Sequence, residues 1–406
     1  MRILLTGATG YIGKNLLRRL LSEGHTVACC VRDRSRFQVP RGFESQVEVF
    51  QVDFVEMPET LRAEGKFDIA YYLIHSMSAS TTSFEDLEAQ AAHNFLKFVE
   101  GTGLQQVIYL SGIINKHSLS KHLSSRFRVE QILTEGQLAV TTLRAGIIVG
   151  AGGASFELIR DLVEKLPVMV TPKWLHTRCQ PISIDNVLEF LSGVALKPQY
   201  YNQSYDIGGP DILTYKEMLE GYARVRGLPR RIFTVPVMTP RLSSYWLYFV
   251  TGVSYKLAVN LVDSMKVEVV CKPNQLASEL GIELVHYEDS VRKTLRIYTA
   301  GGSISSWKDA LSSSYAGPDL GRYQSVPVFG VLFNRQRIAI TDNRQAVIDN
   351  IWSIGGRRGW YYGTWLWKIR GYMDKLAGGV GLRRGRRHDR ELEPGDALDF
   401  WRVLAA

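Results

Sequence analysis

The chain opens on a short apolar run, Ile3-Leu4-Leu5, which passes through Thr6 into a turn with glycines at Gly7, Gly10 and Gly13 and then into a periodic apolar pattern. No other stretch restricts the fold so strongly. A buried strand that turns tightly into a helix needs a residue without a side chain at Gly7. Gly10 leaves room for a pyrophosphate against the amides at the positive end of the helix, and Gly13 lets that helix sit close on the sheet. Thr9, Tyr11 and Ile12 complete the surface of the turn. Strand, glycine turn and helix in this order are the context in which such a triplet binds a dinucleotide.

The remainder of the N-terminal region fits that start. Apolar strands are expected over 2–6, 26–31, 47–52, 69–73, 106–111 and 140–145, with amphipathic helices over 12–22 and 84–100 between them. Strands alternating with helices predict a doubly wound parallel α/β sheet, the Rossmann arrangement, which binds ligands at the carboxyl ends of its strands. With 406 residues, 45% of them apolar, two or three domains are expected. Residues 1–300 form the first, split into a Rossmann core over 1–150 and a smaller substrate-side lobe over 151–300. A Ser- and Gly-rich linker covers 301–323, and an α+β domain covers 324–406.

The four cysteines, Cys29, Cys30, Cys179 and Cys271, have no metal-ligand spacing and are expected to be reduced core thiols. The chain begins on a strand without a signal-like segment, so a cytoplasmic location is expected, with a peripheral place at the inner membrane face left open. Residues 242–262 hold a single charge, Lys256, but Gly252 and five Ser, Thr or Asn residues interrupt the run, which favours a buried or partner-facing helix pair over a membrane span. Between Arg357 and Arg390 ten Lys or Arg stand against Asp374 and Asp389, which places most of the net charge of +9 in one segment beside five of the eight tryptophans. Such a segment suits a protein complex or an anionic membrane surface, or is a solvated face. Nucleic acid is not the expected partner.

After the second strand, Val31 is followed by Arg32 and Asp33. An acidic residue at the Arg32 position would bind the ribose hydroxyls of NAD, whereas a guanidinium accepts a 2′-phosphate, so NADP(H) is expected in preference to NAD(H). A solvated arginine run is the plain alternative. Asp53-Phe54, past the third strand, suits an adenine contact. Leu73 and His75, past the fourth, would border the pyrophosphate and the nicotinamide ribose, although His75 reads equally well as a structural loop residue.

These motifs resemble the short-chain dehydrogenase/reductase superfamily, in the extended or atypical branch whose fingerprint is TGxxGxxG. The resemblance spans about residues 1–300 and implies a serine at the end of the fifth strand and a downstream YxxxK, in which Tyr exchanges a proton and Lys lowers its pKa and binds the ribose. Ser111 matches the first. His122-Leu123-Ser124-Ser125-Arg126 is similar to the second, with His122 in the tyrosine position and Arg126 in the lysine position. Arginine keeps the positive charge, but histidine is a different acid, so proton delivery by His122 and loss of the catalytic role stand as equal alternatives. Leu143-Arg144-Ala145-Gly146 resembles the family's LRPG segment with Ala145 in place of proline. Gln180 to Val187 and Tyr205 to Gly209 resemble substrate-lobe elements.

The C-terminal runs Gly356 to Tyr362, Trp365 to Gly371, Gly378 to Arg387 and Asp399 to Val403 resemble the bacterial DUF2867 domain. That domain continues past the last run, so a truncated copy is expected here. The resemblance implies two classes of function. One is an oxidoreductase that moves a hydride to or from an unidentified small carbonyl or alcohol. The other is a redox-silent NADPH-binding accessory protein docked on a larger assembly, as the reductase-like subunit of respiratory complex I is.

Overall fold

The computed structural model describes residues 1–34, 37–75, 84–114, 121–235, 265–299, 343–356, 358–376, 392, 397–398 and 401–403. The first half alternates β1 (Arg2–Leu5), α1 (Tyr11–Ser22), β2 (Thr26–Val31), β3 (Val47–Gln51), β4 (Ile69–Tyr72), α2 (Phe84–Phe98), β5 (Gln106–Gly112), α3 (Lys121–Glu135) and β6 (Ala139–Ala145). Each predicted strand is present to within a residue or two. The chain continues through β7 (Ile148–Val149), α4 (Ala154–Lys165), β8 (Val168–Pro172), β9 (Arg178–Cys179), β10 (Ile182–Ser183), α5 (Ile184–Gly193) and β11 (Gln203–Ile207). β12 (Leu213–Thr214), α6 (Tyr215–Arg226), β13 (Arg231–Val235), α7 (Leu276–Leu280) and α8 (Tyr287–Thr299) come next.

Seven strands form one sheet in the order β11-β6-β5-β4-β1-β2-β3, and every neighbouring pair runs parallel. The order reverses between β1 and β4, which makes the gap above them the topological switch point. Because strand side chains alternate between faces, Ile3, Leu5, Val27, Cys29 and Val31 pack with α1 and α5, while Leu4, Ala28 and Cys30 pack with α2 and α3. The adjacent cysteines therefore lie on opposite faces of the sheet. Both are free thiols, and burial pushes each well above the ordinary cysteine value.

A second core joins α4, α6 and α8 through Phe156, Met218, Tyr222, Tyr287 and Val291. The expected lobe after residue 150 thus has its own interior, but the cut is not clean. β11, which contains the Tyr205-Asp206-Ile207 stretch read as a lobe element, pairs with β6 and completes the first sheet. α5 and α7 also pack on the first core. β11 is the edge strand of that sheet, and its mostly polar run from Gln203 to Ile207 carries no apolar signal that would name its partner.

At the C-terminal end, α9 (Arg344–Trp352), α10 (Thr364–Leu376) and an antiparallel pair, β14 (Ala397–Leu398) with β15 (Trp401–Arg402), are described. Trp365, Leu366, Ile369, Tyr372 and Met373 of α10 are exposed. Trp360 and Trp367 pack with ring centres 5.7 Å apart, and the Arg370 guanidinium lies over the Trp367 ring. The apolar run 242–262 and the linker 301–323 lie outside the described residues. No described helix is long and apolar enough to cross a membrane.

Candidate functional site

The glycine turn is set by backbone packing. Gly7 takes the left-handed conformation, with φ at +65°, and a Cβ there would stand 2.6 Å from the Leu73 carbonyl oxygen. Thr6 locks the turn to β4: its amide donates to the Tyr71 carbonyl at 3.0 Å, and its hydroxyl accepts from the Leu73 amide at 3.0 Å. A Cβ on Gly13 would lie 2.1 Å from the Gly7 carbonyl oxygen, so the close approach that requires this glycine is to the turn itself rather than to the sheet.

Gly10 is the residue that caps α1. Among the described residues a Cβ on it would meet only the Gly7 carbonyl, at 3.2 Å. No described side chain caps the helix and no acidic residue sits in its first turn, so among the described residues the positive end of α1 is left open. The residues therefore fit a pyrophosphate, with the amides of Tyr11 and Ile12 at the mouth of the helix.

Arg32 is exposed directly past the last residue of β2, with Asp33 half-buried beside it. Asp53 accepts from the Val55 amide at 2.9 Å and so closes its own turn. Phe54 corrects the expected adenine contact. Its ring is buried edge-on against Phe95 and Phe98, with centres 5.9 and 5.4 Å apart, and its carbonyl accepts from Asn94 at 2.7 Å. An aromatic residue after a strand serves core and ligand alike in sequence, and here the α2 layer takes it. Tyr11 reaches the other way: a Cβ on Gly150 would lie 2.3 Å from its hydroxyl. Burial raises the Tyr11 hydroxyl well above the ordinary phenol value, and the charges of Asp185 and Glu157 add to the shift.

On the far side of the switch point, Ser111 lies in β5 opposite Arg144 of β6. Its hydroxyl is buried, with no well-aligned hydrogen bond among the described residues, and lies near enough to the Tyr109 hydroxyl to counter part of the rise that burial causes there. His122 and Arg126 both lie in α3, four residues apart and so on one face, but the His122 side chain is outside the described residues. The Arg126 carbonyl accepts from the Tyr109 hydroxyl at 3.3 Å. Burial pushes that hydroxyl up to about 12, against the pull of the Arg126 guanidinium. Glycine turn, His75 loop and Ser111 thus share the carboxyl edge of three adjacent strands, β1, β4 and β5.

Two buried carboxylates had no role in the sequence reading, although Glu130 closes the stretch that resembles the YxxxK region. Glu130 of α3 holds Arg144 through two contacts, 2.6 and 3.1 Å, and accepts from Ser204 at 2.7 Å. Glu88 of α2 lies 2.9 Å from His75 Nδ1 and also accepts from the Ser125 hydroxyl. A signal for Glu88 was present: it lies on the stripe with Ala91, Ala92 and Phe95, at helical spacing within the buried face.

Comparison with known proteins finds matches in two separate parts of the chain. Residues 3–112 match the NAD dependent epimerase/dehydratase family, and residues 331–406 match the protein family of unknown function DUF2867. Divinyl chlorophyllide a 8-vinyl-reductase of Cucumis sativus, a chloroplast protein, is 26% identical over 251 residues, or 58% of this chain and 59% of its own length. The matched region spans 59–62% of the length of the four such reductases found. Photosystem II assembly factor Ycf39 of Guillardia theta is 22% identical over 294 residues, 70% of this chain and 90% of that one. A nucleoside-diphosphate-sugar epimerase of Staphylococcus aureus superposes with a TM-score of 0.57 at 15% identity, covering 72% of this chain and all of that one, which shows a shared fold.

Proposed function

From a short-chain dehydrogenase/reductase domain of the NAD-dependent epimerase/dehydratase type ahead of a DUF2867 segment, we propose that this chain binds NADP(H) and reduces a small acceptor. The observation that carries this reading is the positive end of α1 above Gly10, which no described side chain caps and where a Cβ would meet only one backbone oxygen among the described residues. The amides of Tyr11 and Ile12 hold the pyrophosphate, Arg32 meets the 2′-phosphate, and Leu73 with the His75 loop borders the nicotinamide ribose. Arg126 supplies the positive charge near that ribose, and Ser111, buried and without a well-aligned hydrogen bond among the described residues, orients the acceptor oxygen. A bound nicotinamide dinucleotide supplies the hydride.

Titration of the full chain by nicotinamide fluorescence tests the reading. NADPH is expected to bind about tenfold to a hundredfold more tightly than NADH, the worth of one charge-assisted contact, and Arg32→Ala to erase most of that difference. Equal affinities in the unaltered chain refute the 2′-phosphate assignment. Turnover is sought with carbonyls and with activated alkenes, because the Cucumis sativus relative is named a vinyl-reductase.

A second reading has its own support. The exposed apolar side chains of α10, which precede the basic run in sequence, suit a partner, and a relative is named an assembly factor. On that reading the chain holds NADPH without turning it over and docks on a protein complex or an anionic membrane surface. Unchanged NADPH affinity with no turnover and co-sedimentation with anionic vesicles or a complex is its expected outcome.

A further inference from the structure

The loop after β4, which the cofactor reading places beside the nicotinamide ribose, carries a side-chain constellation whose chemistry that reading does not use. His75 stands three residues past the end of β4, and Leu73, two residues before it, covers Gly7 with its carbonyl. β4 lies between β1 and β5, so His75 belongs to the edge between the glycine turn and Ser111. Its Nδ1 is 2.9 Å from Glu88 Oε1, and the Ser125 hydroxyl donates to Oε2 of the same carboxylate. The Glu88 side chain is 6% exposed and that of His75 23%, so a buried carboxylate aims a half-buried ring.

An ionised carboxylate only accepts, which makes Nδ1 the donor of this pair and Nε2 the nitrogen that exchanges a proton with another group. Among the described residues the titratable groups gathered here are Glu88 from α2, Tyr72 from β4, Tyr109 from β5 and Arg126 and Glu130 from α3. Burial, then Tyr109 and Glu88, raise the Tyr72 hydroxyl well above its ordinary value, and burial pushes Tyr109 up to about 12. Both phenols stay neutral at physiological pH, whereas an imidazole changes charge near neutrality. Ser125 belongs to the α3 stretch that departs from YxxxK, one residue before Arg126, so the Glu88 bridge ties that helix to the His75 loop.

We propose that His75, oriented by Glu88 and Ser125, is the proton-exchanging residue of this site, in the role the tyrosine holds in YxxxK; the inference rests on the reductase reading above. In reduction of a carbonyl the dinucleotide supplies the hydrogen and two electrons that reach the acceptor carbon. The Nε2–H bond of the imidazolium breaks as its proton passes to the oxygen anion of the substrate, the bonding pair stays on Nε2, and the neutral ring regains a proton from water.

The test uses the full chain labelled with 15N-histidine, with the His75 signal assigned through His75→Gln. Spectra are taken from pH 5 to 9, alone, saturated with NADPH, and saturated with adenosine 2′,5′-bisphosphate, which lacks the nicotinamide half. The neutral ring is expected as the Nδ1–H tautomer, and its signal is expected to move with NADPH but not with the adenosine fragment. Glu88→Gln is expected to mix the tautomers, and if that variant does not fold, the spectra of the unaltered chain still decide. An Nε2–H tautomer, or a His75 signal unmoved by bound NADPH, overturns the proposal and leaves the reductase reading standing. A chain that binds no NADPH in the fluorescence titration removes both. With a carbonyl that turns over, His75→Gln is expected to lower kcat about a hundredfold at unchanged NADPH affinity. Turnover lost in His122→Phe and kept in His75→Gln overturns the proposal in favour of His122.

Discussion

The glycine turn after β1 and the loop after β4 lie side by side, joined by Thr6 and the Leu73 amide, yet they are held by opposite means. The turn is backbone against backbone, with the space over Gly10 open among the described residues and no carboxylate in the first turn of α1. The loop and the helix α3 beyond it are held by buried charge, Glu88 on His75 and Ser125, and Glu130 on Arg144 and Ser204. Steric fit of this kind leaves a binding end little room to vary, since any side chain at Gly7 or Gly13 meets a carbonyl. Buried pairs can exchange members, and it is at that end that His122 and Arg126 stand in the stretch that resembles YxxxK.

If the difference is real, the two ends respond differently to substitution. Glu130→Ala leaves the Arg144 guanidinium buried without its carboxylate, and about 3 kcal/mol or more of unfolding free energy is expected to be lost, read by urea denaturation. A loss below about 1 kcal/mol, the range of an exposed pair, would show that charge is not what holds α3 to the sheet. Gly10→Val is expected to weaken NADPH binding about a hundredfold while circular dichroism and the urea midpoint barely move, because the side chain fills the pyrophosphate space. Gly13→Val is the contrast, since its Cβ meets the Gly7 carbonyl and the fold itself is expected to give way.

Arg126→Ala sharpens the comparison within α3. A single charge-assisted contact to the ribose is worth about 1.5 kcal/mol, so NADPH affinity is expected to fall about tenfold with little change in stability. The smallest effect belongs to His286, an exposed counterpart of the His75 pair, whose Nδ1 lies 2.8 Å from Asp211. Its hydrogen bond to Asp211 raises the imidazole above the ordinary 6.5. Stabilisation by this pair is therefore complete below about pH 6.5 and lost as the pH rises through the raised value. A small fall in Tm between pH 6 and 9 that Asp211→Asn abolishes is the expected result.

The sequence showed the strands and the turn because their signals are local: apolar runs, glycine spacing and the 3.6-residue period all lie within a dozen residues. Phe54 and β11 show where locality ends. Whether an aromatic faces a ligand or α2, and whether residues 203–207 pair with β6 or close a lobe, depends on partners some 40 to 60 positions away. Glu88 sat on a readable helical stripe, but a carboxylate on a buried face carries no mark of the histidine 13 residues earlier that accounts for it. Ser111 was picked out in the sequence through a resemblance at the end of a strand, and its burial only through the structure.

The central claim is that one dinucleotide spans both ends of this edge, and a crystal structure of the full chain grown with NADPH tests it most directly. The expected result is pyrophosphate oxygens on the amides of Tyr11 and Ile12, the 2′-phosphate against Arg32, and the nicotinamide between Ser111 and His75 Nε2. A dinucleotide bound away from the α1 terminus, or one whose nicotinamide points out of the gap between β4 and β5, would contradict it.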